Sequence, residues 1–427
     1  ELEEKLKNNR KKRTTLSKPK LKSIVRIGPN YRNVNVSTNM MLETFNFRGG
    51  EFGNWASDIE RQMHLNYAYD ALIDLARILN VKTSFVSFDK RLGIAFGARG
   101  SGNALAHYEP AKVVINLTKI KGAGNLAHEW FHAFDDYLGH LCGNNISNPF
   151  ASENISRSNI INKNKSISDN VILNYKKIID TIKNKECSNE EKKKSIKNKI
   201  NSYKNMLELI LNPIQKYLKE EQKGYKKTRR AATCEEINKY NEIVNIMING
   251  QIHYTSDIEK IIEELNNLHK KIKGIMINKE NRKLLYNYLF FLDSFNQKLK
   301  NINNIKKTKN TDFYKSAKKL DEGKSKLYWS TNVEMIARAF EAYIQDKIQE
   351  QGHQSDYLVH HADNKAFGDL NPYPKDIERK KINKSFDDFF KVFKDYMKLE
   401  EFKIKICSEQ HFSNSETSPI KKQLSFL

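Results

Sequence analysis

Residues 126–139 read LAHEWFHAFDDYLG, and within them stands the set His128, Glu129 and His132. On an α-helix, side chains four apart lie one above the other, so both imidazoles can face one small cation. Glu129 follows His128 by one position and falls beside the pair instead of among the ligands. A carboxylate placed there can take a proton from water that the cation has polarised. This order of residue types suits zinc-assisted hydrolysis of a peptide bond. Leu126, Ala127, Trp130, Phe131, Phe134 and Leu138 give the stretch an apolar face, and Gly122 and Gly124 punctuate the turn before it. Two satisfied core histidines are the competing reading; the amphipathic setting and the residue order favour a metal.

Two histidines do not hold zinc tightly, and a hydrolytic site needs a third protein ligand with one position left open for water. Four sources are available: Glu334, Glu341, Asp135, and the histidines of one later loop, His353, His360 and His361. A metzincin would continue His132 as H-x-x-G-x-x-H, but the chain reads AFDDYLG over 133–139 and excludes that class. Asp135 is about one turn beyond His132, which suits a hydrogen bond to a ligating imidazole better than coordination. Glu334 and Glu341 are seven apart and share one face of a later helix. Glu334, near the start of that helix, is the preferred ligand, and Glu341 is the alternative. The competing account of Glu334 is an ion pair with Arg338, four residues on.

The elements that must position these residues follow from periodicity. A helix is expected over 57–79, strands over 81–88, 92–98 and 111–117, and the metal helix after the third strand. Ser330, Thr331 and Asn332 are candidate caps for the glutamate helix, whose inward stripe is Val333, Ile336, Ala337, Phe340 and Ile344. A last helix is expected over 376–400. Residues 143–321 change character: Asn, Lys and Ile dominate, with apolar patches spaced for amphipathic helices. The resulting division is a basic flexible arm over 1–37, a core over 38–142 and 322–404, a lysine-rich helical insertion over 143–321, and a disordered tail over 405–427. The fold class is α+β with a large all-helical insertion.

Composition sets the outer bounds. Hydrophobic residues make up 39% of the 427, too few for one compact globule, so part of the chain is extended helix or loop. The net charge of +23 fits contact with nucleic acid through the arm and the insertion, with an anionic membrane or with an acidic protein, or else lysines spread over solvated helices. Cys142, Cys187, Cys234 and Cys407 form no C-x-x-C, which points to thiols in a reducing, cytoplasmic compartment. No apolar run reaches the roughly 18 residues of a membrane span.

Several segments together resemble the first of the large polyvalent protein-associated domains. These are Phe47–Trp55 (FRGGEFGNW), Leu92–Gly102 (LGIAFGARGSG), Ala106–Pro110 (AHYEP), Val114–Thr118 (VINLT), Gly122–Trp130 (GAGNLAHEW), Tyr328–Thr331 (YWST) and Ala337–Tyr343 (ARAFEAY). The resemblance covers roughly 40–142 and 325–395. It implies a place in the long multidomain proteins of phages and conjugative elements, thought to enter a new bacterial host with the DNA. Residues 128–139 and 334–340 are also similar to the two zinc-binding helices of anthrax lethal factor, a gluzincin metallopeptidase. That likeness implies a zincin-like core, Zn2+ held by His128, His132 and Glu334, and Glu129 as general base. Tyr328 would then stabilise the oxyanion, a role the 353–361 histidines could also fill, and the strand before the metal helix would be the edge on which a protein substrate, host or self, lies extended. The reading from a different class is a basic nucleic-acid-associated packaging module with a structural or inactive metal site.

Overall fold

The computed structural model describes residues 18–19, 21, 23–53, 57–98, 106–117, 123–155, 166–219, 232–249, 255–367 and 370–415. Trp55, Gly102, Thr118 and Gly122, singled out in the sequence, lie outside them, as do residues 1–17 and 416–427. The chain divides into two compact units, Glu1–Lys185 with Asn310–Leu427, and Glu186–Lys309.

In chain order the first unit begins with β1 (Arg26–Ile27), α1 (Thr38–Phe45), β2 (Gly50–Phe52), α2 (Asp58–Leu79), β3 (Gly93–Phe96), β4 (Ala106–Glu109) and β5 (Val114–Leu117). It continues with α3 (Leu126–Leu141), α4 (Ala151–Ile155) and α5 (Asp169–Lys183). Between the units' chain segments run β6 (Asn184–Glu186) and β7 (Thr308–Asn310), and the helical unit holds α6 (Asn189–Lys219), α7 (Cys234–Asn249), α8 (Thr255–Lys273) and α9 (Lys279–Lys300). The first unit then resumes with α10 (Asp312–Asp321), α11 (Asn332–Glu350), β8 (Gln354–Ser355) and α12 (Asp376–Ser415). The architecture is mixed α/β, with helices dominating a small sheet.

The sheet order is β2-β3-β5-β4. β2, β3 and β5 run parallel, and β4 is antiparallel to β5 with Tyr108 opposite Ile115. Every residue of β3 and β5 is buried, which is the pattern of strands covered on both faces. The strand just before the metal helix is therefore internal, and the edge expected there belongs to β4. β4 carries only four residues, AHYE, too few to reveal an alternation.

Residues 81–88 are not a strand. Thr83–Ser87 form a 3-10 turn, which lets Phe85, Val86 and Phe88 all point inward, something an alternating strand forbids. The Val86 carbonyl then accepts the indole N–H of Trp130 at 2.9 Å and ties this turn to α3.

α3 and α11 pack through aromatic rings, Phe131 against Phe340 at 4.6 Å and Trp130 against Phe340 at 5.7 Å. Phe386, Phe389, Phe390 and Phe393 of α12 close the same core. α5 supplies Val171, Tyr175, Ile178, Ile179 and Ile182 to it, and α10 supplies Phe313 and Ala317. The helical insertion is consequently narrower than 143–321. The Asn/Lys/Ile composition of α5 resembles that of the insertion, but its apolar stripe has partners in α12.

The expected flexible arm is also shorter. Leu21, Ile24 and Tyr31 pack on the core, β1 pairs antiparallel with β8, and Arg26 forks onto Asp74 at 2.9 and 3.1 Å. The sparse apolar content of 1–37 hid a segment held largely by backbone pairing and charge. At the other end α12 reaches Ser415, eleven residues into the expected tail of 405–427.

The helical unit has its own core, including Leu207, Leu211, Tyr240, Met247, Leu265, Leu285 and Leu289. Ile196 and Ile200 of α6 are buried, whereas Lys193, Lys194, Lys197 and Lys199 are exposed. That is a solvated helix face over an apolar stripe.

Candidate metal centre

The N-terminus of α3 is held by backbone, not by a side-chain cap. Gly124 N–H donates to the Tyr357 carbonyl and Ala127 N–H to the Leu358 carbonyl, both at 3.0 Å. These bonds satisfy donors that a helix start leaves open and fix the turn that carries His128. His360 comes so close that a Cβ on residue 124 would fall 1.7 Å from its ring, and Gly124 has φ +84°, so only glycine fits. The 353–361 loop thus acts as a cap for the metal helix. His360 bonds the Ala123 carbonyl at 3.1 Å, His353 lies against Gly28, and His361 is exposed. None of the three joins the histidine pair.

α11 is capped by Thr331, whose hydroxyl accepts from Glu334 N–H. Asp321 gathers the preceding loop, accepting from the N–H groups of Tyr328, Trp329 and Ser330 and from the Ser330 hydroxyl at 2.7–3.1 Å. The buried Arg338 side chain donates to the Glu334 carbonyl at 3.1 Å and the Pro372 carbonyl at 2.7 Å, and also to the Trp329 carbonyl. In place of the ion pair of the competing account, Arg338 braces the backbone around Glu334.

These two helices bring three donors together. His128 Nε2 and His132 Nε2 are 3.0 Å apart, and the Glu334 carboxylate lies 3.5 Å from the first and 3.7 Å from the second. Ligand atoms of all three lie within 4.8 Å of one another, and this is the one such group among the described residues. Their side chains keep 10–16% of their surface open, so water can reach them.

The electrostatics fit a cation. Burial and the neighbouring His128 push His132 down to about 4, which keeps its lone pair available at neutral pH. Burial opposes ionisation of Glu334, yet the His128 contact and the charges of both histidines hold its pKa at about 2. Its Oε2 is buried without a hydrogen bond. Two imidazole nitrogens facing each other beside an ionised, under-satisfied carboxylate form an N,N,O set suited to zinc.

Glu129 is 8% exposed. Burial raises its pKa to about 7, with the Glu334 charge adding to the rise; the His128 charge, the Tyr108 backbone N–H and Lys18 oppose it. That backbone N–H belongs to β4, so the edge strand runs past Glu129. Tyr328 is 47% exposed as a whole residue, while its hydroxyl stands beside Glu334. Burial of that end and the Glu334 charge raise its pKa, keeping the proton on the oxygen.

The remaining two candidates have different places. Asp135 is fully buried and accepts from Ser152 N–H at 2.8 Å, the Ser152 hydroxyl at 2.6 Å and the Tyr175 hydroxyl at 2.7 Å. It staples α3 to α4 and α5 and has no bond to an imidazole, contrary to the role expected for it. Glu341 lies behind His128, its Oε2 3.5 Å from Nδ1 and bonded at 3.0 Å by the Tyr373 hydroxyl. The carboxylate placed against the far side of a candidate imidazole ligand thus comes from the second helix. Sequence reasoning missed Asp321, Tyr373 and Lys18. Tyr373 sits between Pro372 and Pro374 with nothing in the sequence to mark it, and Lys18 is one lysine among many.

Residues 320–397 match the family model described as large polyvalent protein-associated domain 1. The matched segment carries Tyr328, Glu334, Arg338, Glu341 and Tyr373, whereas His128 and His132 lie outside it, and the first stretch of the resemblance, over 40–142, is not part of the match. No curated protein matches the chain. No solved structure matches it either. Among the described residues no helix is long and apolar enough to cross a membrane.

Proposed function

We propose that this chain is a zinc-dependent metallopeptidase of gluzincin type, built on a zincin-like core and belonging to a phage or mobile-element polyvalent protein. It would act in the bacterial cytoplasm on a protein substrate of the host or of its own parent chain. The observation that carries this reading is the convergence of His128, His132 and Glu334 on one point, with Glu129 alongside. Zinc held there would supply Lewis acidity, bringing the pKa of water toward neutrality.

The residues then divide the work. Glu129 takes a proton from the attacking water on its carboxylate and later delivers it to the leaving amine. Burial raises that carboxyl above its ordinary value, which favours its taking up a proton. Tyr328, protonated, donates its hydroxyl to the oxyanion that develops on the scissile carbonyl. The edge strand β4 offers backbone groups along which an extended peptide can lie next to Glu129.

Metal analysis of the purified chain tests the reading. Wild type is expected to hold one zinc, lost in His128→Ala and in Glu334→Ala, and Glu129→Gln is expected to keep the metal while losing peptide hydrolysis. Zinc retained by Glu334→Ala refutes the ligand set. A chain that holds zinc equally well but cleaves no protein, with or without Glu129, would have a structural metal site, as in the nucleic-acid-associated reading.

A further inference from the structure

Glu341 is 1% exposed. One of its oxygens faces His128 Nδ1 and the Tyr373 hydroxyl; the other is ion-paired with Lys18. Lys18 Nζ also donates to the Gly124 carbonyl at 2.9 Å, on the turn that leads into α3. Among the described residues it is the one lysine or arginine paired with Glu341. A carboxylate buried this deeply is costly without a counter-charge, and neither a phenol nor an imidazole in the neutral form that binds a metal supplies one. Burial lowers the Lys18 pKa to about 7 and the Glu129 charge opposes that shift. The direct pair with Glu341 works in the same direction as Glu129 and favours the ammonium. The backbone that delivers Lys18 is itself anchored, since Leu21 and Ile24 pack on the core and β1 pairs with β8.

We infer that the N-terminal segment completes the metal centre, with Lys18 as a positioning residue. Lys18 holds the Glu341 carboxylate, Glu341 holds Nδ1 of His128, and Nε2 of His128 is thereby turned toward the cation. The relay runs from residue 18 through residue 341 to residue 128, three separate parts of the chain. Its bond to the Gly124 carbonyl lets the same ammonium fix the turn from which His128 starts. This inference rests on the metal reading above.

The test is a zinc titration against a chromophoric chelator, using the whole chain as wild type, Lys18→Met, Glu341→Gln and the double variant. Methionine keeps the length of the buried stem and removes the charge. Lys18→Met is expected to bind zinc about tenfold more weakly, the lower end of what losing an outer partner of a ligating histidine costs. The double variant is expected to bind no more weakly than Glu341→Gln alone, because a neutral glutamine needs no counter-charge. Lys18→Met binding as tightly as wild type, or losses that multiply in the double variant, overturns the inference. If Lys18→Met does not fold, the double variant, which removes both charges together, is compared with Glu341→Gln, and weaker zinc binding in the double variant overturns it. A wild-type chain that takes up no zinc refutes the metal reading instead. The relay is then decided on the metal-free protein by the ¹⁵N resonance of His128 Nδ1, which Lys18→Met must shift while leaving His132 in place; an unmoved resonance overturns it.

Discussion

Glu129→Gln should stabilise the metal-free protein, and it should do so only at higher pH. Burial holds the Glu129 carboxyl at about 7, against an ordinary value of 4.5. Below about 4.5 the group is protonated in both folded and unfolded chains and contributes no difference. Between 4.5 and 7 the unfolded chain ionises while the folded one keeps its proton, so stability falls as pH rises. Above 7 both are ionised and the whole penalty is present. A carboxyl held at about 7 instead of 4.5 corresponds to about 3 kcal/mol. Glutamine avoids that penalty, and its carbonyl can still accept the Tyr108 N–H. Urea denaturation of chelator-treated wild type and Glu129→Gln at pH 8 and pH 4.5 gives the readout. The variant is expected to be about 3 kcal/mol more stable at pH 8 and within about 0.5 kcal/mol of wild type at pH 4.5, where the unfolded carboxyl is half ionised. Equal stability at both values would show that Glu129 is not held in a water-poor site and would remove the physical basis for its role as base.

Hydrolysis by the zinc-loaded wild type should show an acidic limb, because Glu129 accepts a proton only when ionised; the limb is expected below pH 7, since a bound cation favours the carboxylate, and a rate that stays flat down to pH 4 would exclude Glu129 as base. Tyr328→Phe should lower kcat by about 10²–10³ with zinc stoichiometry unchanged, measured by single-turnover cleavage beside metal analysis. Asp135→Ala should cost about 3 kcal/mol in urea unfolding, since it leaves the Ser152 and Tyr175 donors buried without their acceptor. Gly139→Ala should lower the melting temperature, because its Cβ would fall 1.7 Å from the Pro149 carbonyl oxygen; a melting curve that overlays wild type would refute that packing.

The parts of the centre that could be read from the sequence are those with a strong local signature. His128 and His132 share a helix face through their spacing alone, and a Thr331 cap with an apolar stripe marks α11. Whether two such helices meet is a tertiary fact, written in the matched rings of Phe131, Trp130 and Phe340 and not in any short window. The misses share one cause. β4 is too short for alternation, Thr83–Ser87 buries its rings by turning, and α5 has the composition of the insertion but the partners of the core. Asp135 and Glu341 show the same limit at the level of single carboxylates. Both were placed within reach of the site by counting residues along a helix. The one on the metal helix turned away to α4 and α5, while the one seven residues beyond Glu334 took the place behind His128.

The donors to this centre bracket the helical unit in the chain, with His132 made before it and Glu334 and Glu341 after it. At a synthesis rate of about 5–20 residues per second, roughly 10–40 s separate the making of His132 from that of Glu341. Four helices with a core of their own can fold in that interval while the histidines wait without their carboxylates. A nascent chain therefore has no assembled centre until the segment after the helical unit has emerged, and synthesis itself delays the moment at which a hydrolase could first act.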